Sequence, residues 1–86
     1  MTVKRTKHFE KQYKKQSEKI RLQFAARLSI FLANPRDERL RLHELRAQYS
    51  GYWSIDVTGD VRTLFRWDGE EVVIFAFIGT HSQLCG

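Results

Sequence analysis

One cysteine and one proline occur in 86 residues, and no apolar run approaches the roughly 18 residues that a membrane helix needs. The lone Cys85 has no partner in the chain for a disulfide, and no Cys/His spacing matches a zinc site. A reducing compartment and a fold without metal or other cofactor are therefore expected. No apolar N-terminal stretch resembles a signal peptide, so a soluble cytoplasmic protein with no membrane partner is the reading. Acid is scarce in the first half of the chain. Residues 1–50 carry thirteen basic and five acidic side chains, a formal +8, whereas residues 51–86 carry two basic and five acidic ones, a formal −3. The overall charge of +5 makes an anionic partner the first expectation. The length fits one domain, residues 1–86, and a hydrophobic share of 42% rules out wholesale disorder. A domain this small has modest stability, which a partner binding only its folded state would raise.

Hydrophobic spacing supplies the elements. Val3 among polar residues suits an edge strand. Thr6 is a good N-cap for a helix over 7–16 with Phe9 and Tyr13 on one face. Ser17 can cap a longer helix in which Ile20, Phe24, Leu28 and Phe31 follow at spacings of 4, 4 and 3. Asn34-Pro35 ends that helix, since proline has no amide proton and turns its predecessor away from helix. Residues 36–50 show no clear period and read as a loop with room for one short strand. After Gly51 the period becomes two, with Tyr52, Ser54 and Asp56 alternating with Trp53, Ile55 and Val57. A turn at Thr58-Gly59-Asp60, a strand over 61–67, a two-residue type I′ hairpin at Asp68-Gly69 and an apolar strand over 71–78 follow. The class is α+β, a three-stranded antiparallel meander with two helices packed across it.

Few polar side chains interrupt the second half, and strand directions bring several of them to one sheet edge. Asp56 ends one strand, Asp60 and Arg62 begin the next, and His81 follows the last in Gly79-Thr80-His81-Ser82. Imidazole, carboxylate and guanidinium together can supply an acid, a base and an anion stabiliser. Each residue also has a plainer reading. A loop histidine such as His43 is most often just solvated, Asp60 is an ordinary turn residue, and Arg62 could pair with Asp60 or Glu71. A lysine run from Lys4 to Lys19 is usually a wet helix face, and the aromatics are mostly core, although an exposed Trp67 or Tyr52 could stack on a base.

The segments Gly51-Tyr52-Trp53-Ser54-Ile55, Gly59-Asp60-Val61-Arg62 and Ile78-Gly79-Thr80-His81-Ser82-Gln83-Leu84 resemble the RelE/ParE superfamily of bacterial toxins, in its YafQ-like branch. The match is specific from His43-Glu44-Leu45 to the C-terminus. The family fold it implies is a short N-terminal strand, two helices, then a three-stranded meander that the first strand joins. The implied activity is that of an mRNA interferase, the toxin of a type II toxin–antitoxin pair, cleaving mRNA in the ribosomal A site. YafQ-like members carry histidines at the positions of His43 and His81, an aspartate at Asp60 and a histidine where this chain has Asp56. They commonly hold an aromatic residue where this chain has Cys85.

On that reading the 2′-OH attacks the neighbouring phosphorus, with His81 as acid, His43 or Asp60 as base, and Arg62 stabilising the phosphorane charge. Phosphates of mRNA on the ribosome would be held by Lys11, Lys14, Lys15, Arg36, Arg39, Arg41 and Arg46. An acidic antitoxin would cover the basic helices. The alternative is a ParE-like gyrase inhibitor or an RNA- and antitoxin-binding module without nuclease activity.

Overall fold

The computed structural model describes residues 1–85, with the side chain of Cys85 outside that description, so the expectation that rests on Cys85 in place of an aromatic lies outside the described residues. Strand β1 (Thr2–Arg5) leads into helix α1 (Lys7–Lys14), then α2 (Glu18–Ala33), β2 (His43–Glu44), β3 (Trp53–Asp56), β4 (Val61–Asp68), β5 (Val72–Thr80) and the short helix α3 (His81–Cys85). Single 3₁₀ turns lie at Glu38–Leu40 and Ala47–Tyr49.

Both long helices begin where a hydroxyl can take an orphan amide. Thr6 Oγ1 accepts from Phe9 N at 3.0 Å, and Ser17 Oγ accepts from Ile20 N at 3.2 Å. The strands form one sheet in the order β1-β5-β4-β3-β2, with β1 parallel to β5 and every other pair antiparallel. The parallel pairing of β1 follows from the connection, because helix α1 and helix α2 cross one face of the sheet before the chain returns to it. Where β1 ends, α1 runs along the free edge of β5. Thr6 N donates to Phe75 O, and Gln12 Oε1 accepts from Ile78 N at 2.9 Å.

One face of the sheet carries the core. Phe9, Phe24, Phe31, Phe65 and Phe75 are at most 1% exposed and pack ring against ring with Ile55, Val57, Val61, Val73 and Ile78. Trp67 stacks on Phe31 on this same side, in line with the reading of the aromatics as mostly core.

Three further details differ from the sequence reading. Asp68 stays in β4, paired with Val72, so the hairpin loop is the three residues 69–71, with Gly69 at φ +73°. A type I′ turn needs positive φ at two consecutive residues, and Asp68 remains extended instead. Residues 36–50 supply β2 where the loop had room for one short strand, so the sheet has five strands and not the four of the implied family fold. The chain after β5 turns into α3, which no hydrophobic period announced.

Candidate functional site

The second face of the sheet is built differently. Register places His43 opposite Ser54, Ser54 opposite Leu64, Asp56 opposite Arg62, and Arg62 opposite Gly79, all pointing away from the core. Residues 46–50 and α3 cover part of this face. Tyr49 and Tyr52 pack edge-on against Phe77, and the Tyr49 hydroxyl donates to Leu84 O at 2.6 Å, pinning α3 to the loop.

Helix α3 is set by reciprocal capping. Thr80 Oγ1 accepts from Gln83 N at 3.1 Å while Gln83 Oε1 accepts from Thr80 N at 2.8 Å, so Thr80 is an N-cap and His81 the first helical residue. A Cβ on Gly79 would lie 2.8 Å from Gln83 Oε1, which explains the glycine before the cap. The motif Gly79-Thr80-His81-Ser82-Gln83 is thus a device that ends a strand and fixes the backbone of a histidine.

From His81 a polar line runs across the strands. Arg62 Nη1 lies 2.6 Å from His81 Nδ1. Arg62 Nε lies 3.5 Å from Asp56 Oδ1, and Arg41 Nε lies 3.5 Å from Asp56 Oδ2. The contact between Arg62 Nε and Asp56 is an ion pair without hydrogen-bond geometry, and this buried Nε has no hydrogen-bond partner among the described residues. Arg41 reaches Asp56 from a left-handed backbone at φ +52°, an unusual conformation for a side-chain-bearing residue.

These contacts fix tautomers. A guanidinium has only donors, so His81 Nδ1 accepts, and its proton sits on Nε2. His43 Nδ1 lies 3.0 Å from Arg41 O. A carbonyl only accepts, so Nδ1 of His43 carries a proton, and in the neutral ring the lone pair is on Nε2. The two histidines present opposite faces to solvent, one a lone pair and the other an N–H.

The structure brings Asp56, Arg62 and His81 together as strand order predicts, and adds Arg41, which sequence reasoning placed only among the phosphate binders. Arg62 turns to Asp56, not to Asp60 or Glu71. His43 lies one strand beyond, about 8 Å in Cα position from Asp56 by strand spacing and rise. Asp60 is exposed in the turn after β3, where Thr58 Oγ1 accepts from the Asp60 and Val61 amides. Of the basic residues, the exposed Arg39 is engaged within the chain. Its guanidinium forks onto Asp37, with Nε to Oδ1 at 3.0 Å and Nη2 to Oδ2 at 2.8 Å. That bond, with the Arg39 amide, lowers the Asp37 carboxyl to about 2. Lys11, Lys14, Lys15, Arg36 and Arg46 are exposed. Lys15 lines a groove of about 300 Å³ with Gln12, Gln16, Ile78 and Gln83 beside α3, and Arg46 lines one of about 310 Å³ with Glu44, Leu45, Ala47 and Ser50 beside β2. Among the described residues no three His, Cys, Asp or Glu side chains gather as a metal site, and no helix is long and apolar enough to cross a membrane.

Sequence reasoning missed the capping box, although Thr80-x-x-Gln83 spells one, and missed Tyr49, which lies in a stretch with no period.

Three helices and a five-stranded mixed sheet in this arrangement match the fold of RelE-like toxins. The YafQ toxin of E. coli strain BL21(DE3) superposes with a TM-score of 0.75 at 20% identity, over 98% of this chain and 97% of that one. A YoeB/ParE toxin from Agrobacterium tumefaciens gives 0.78 at 16% identity over 94% and 99%. The toxin of the E. coli DinJ-YafQ complex gives 0.72 at 22% identity over 98% and 97%. No curated protein sequence matches significantly. The family described as the bacterial toxin of type II toxin–antitoxin system, YafQ, matches residues 1–86, and the chain belongs to it.

Proposed function

We propose that the chain is a metal-independent endoribonuclease of the cytoplasm that cuts mRNA on the ribosome and stops translation. The observation that carries this reading is the line of Arg41, Asp56, Arg62 and His81 with His43 beyond it, on the face of the sheet opposite the two long helices. A binder has no need of two histidines held in opposite tautomers.

In the reaction His43 Nε2 takes the proton of the ribose 2′-OH, and that oxygen forms a bond to phosphorus. The bond from phosphorus to the 5′ oxygen breaks, and His81 protonates the departing oxygen, leaving a 2′,3′-cyclic phosphate. Arg62 stabilises the phosphorane charge. Asp56 holds two guanidiniums and is a positioning residue, not a proton carrier. Asp60 is the second candidate for the base. The exposed Lys11, Lys14, Lys15, Arg36 and Arg46 hold RNA phosphates without reading sequence. The partner in the resting state is an acidic antitoxin, a reading supported by the family and by the toxin–antitoxin complexes of relatives such as DinJ-YafQ.

Induced expression followed by mapping of mRNA 5′ ends tests the reading. Wild type should arrest growth and generate new ends inside coding regions. His81→Ala should lower cleavage by about 10² to 10⁴, some 3 to 5 kcal/mol of barrier, with its fold kept. Growth arrest with intact mRNA, or a folded His81→Ala protein that cleaves at the wild-type rate, would refute it.

A further inference from the structure

The contact between Arg62 and His81 poses a chemical difficulty for the acid role just described. A neutral imidazole with its proton on Nε2 is a poor acid, since giving that proton up would leave an imidazolate. To protonate a leaving oxygen, His81 must first hold a second proton, and the only vacant nitrogen is Nδ1. That lone pair is occupied by Arg62 Nη1 at 2.6 Å. The free protein therefore holds His81 in the wrong state for the step.

Arg62 is itself loosely tied. Its Nε makes no hydrogen bond among the described residues, its ion pair with Asp56 is 3.5 Å long, and its side chain is one third exposed. A phosphate offers it two charged acceptor oxygens in fork geometry where the imidazole offers one neutral nitrogen, and guanidinium–phosphate pairs are commonly bidentate. Phosphate thus competes with the imidazole for the guanidinium.

We propose that Arg62 is a substrate-released latch on His81: it occupies Nδ1 in the free protein, and an RNA phosphate that draws the guanidinium away frees Nδ1 to take the second proton that makes His81 an acid. Solvent supplies that proton to Nδ1, and the Nε2 proton goes to the departing 5′ oxygen, so His81 ends neutral. The groups that bear on His81 are Arg62 on β4, then Asp56 on β3 and Arg41 before β2 acting through it, with Ser82 and Gln83 on its own helix. The catalytic half of the latch rests on the ribonuclease reading, whereas its resting state is a property of the free protein.

Diethylpyrocarbonate tests it, because the reagent is attacked by an imidazole lone pair. At about pH 8, where ordinary imidazoles are neutral, carbethoxylation is followed residue by residue by mass spectrometry, with His8 and His43 as references in the same molecule. In free wild type His81 should react about five- to tenfold more slowly than His43, the effect of one hydrogen bond that must first break. Inorganic phosphate should speed the modification of His81, the reverse of ordinary ligand protection, and Arg62→Ala should speed it without phosphate. Free His81 reacting as fast as His43, or slowing when phosphate is added, would overturn the latch, and both readouts need only the wild-type protein. A latched His81 in a protein that cuts no RNA would sink the ribonuclease reading alone. RNA cleavage by a protein whose His81 is unlatched would sink the latch alone.

Discussion

The two faces of the sheet obey different rules. On the helix side five phenylalanines are at most 1% exposed and each meets another ring, so every buried group there has a partner suited to it. On the other side lie a buried Ser54 hydroxyl and a buried Arg62 Nε with no hydrogen-bond partner among the described residues. Two residues with side chains, Arg41 at φ +52° and Ala47 at φ +57°, sit in the left-handed region next to it, at a cost of roughly 1 to 2 kcal/mol each. Stability is concentrated on one face and local strain on the other, the division expected when one sheet must both hold a fold together and keep polar groups ready for a ligand.

The strongest way to break this comparison is to exchange the outcomes of truncation on the two sides. Phe75→Ala removes a ring that touches Phe9, Phe24, Phe31 and Phe65, and should cost about 3 to 5 kcal/mol in urea unfolding, a large part of what a domain of this size has. Asp60→Ala, at an exposed turn, should stay within about 0.5 kcal/mol. If Asp60→Ala unfolded the protein and Phe75→Ala did not, the division of labour between the faces would be wrong.

A smaller effect is expected where the two faces meet, at the end of β5. Thr80→Ala removes the hydroxyl that accepts from Gln83 N and should cost about 1 kcal/mol, the usual value for an N-cap. Because His81 is the next residue, the same change should reduce RNA cleavage by more than its stability cost explains, while Thr80→Ser should restore both. Equal cleavage by Thr80→Ala and wild type would show that the cap serves the helix alone.

That cap also shows where the sequence was readable and where it was not. Helices α1 and α2 announce themselves by period and by Thr6 and Ser17, because burial on one side leaves a repeating apolar mark. The meeting of Asp56, Arg62 and His81 followed from strand direction, since a meander returns its third strand to the first hairpin. The partner of Asp56 on its other side, Arg41, was not legible, because a left-handed residue in an aperiodic stretch has no signature in composition. Tyr49 was hidden for the same reason, and β2 is two residues long, too short for a period to show. The type I′ reading of Asp68-Gly69 failed because dipeptide preference describes an isolated hairpin, whereas here the register of β4 against β5 keeps Asp68 in its strand.

The finest test concerns Ser54, which is 1% exposed and lies between His43 and Leu64 in the register. Its hydroxyl has no partner among the described residues, so burial takes it from water with nothing in return. On the core face such a residue would be an error, and replacing it would only help. Ser54→Ala should therefore raise stability by up to about 1 kcal/mol, read as a higher urea midpoint with an unchanged slope. If the hydroxyl orients a bound ribose or holds His43 in register, the gain will come with weaker RNA cleavage, the trade expected where a strained site is relaxed. A Ser54→Ala protein that is less stable than wild type would mean that the hydroxyl is satisfied, and that this face is as well matched as the core.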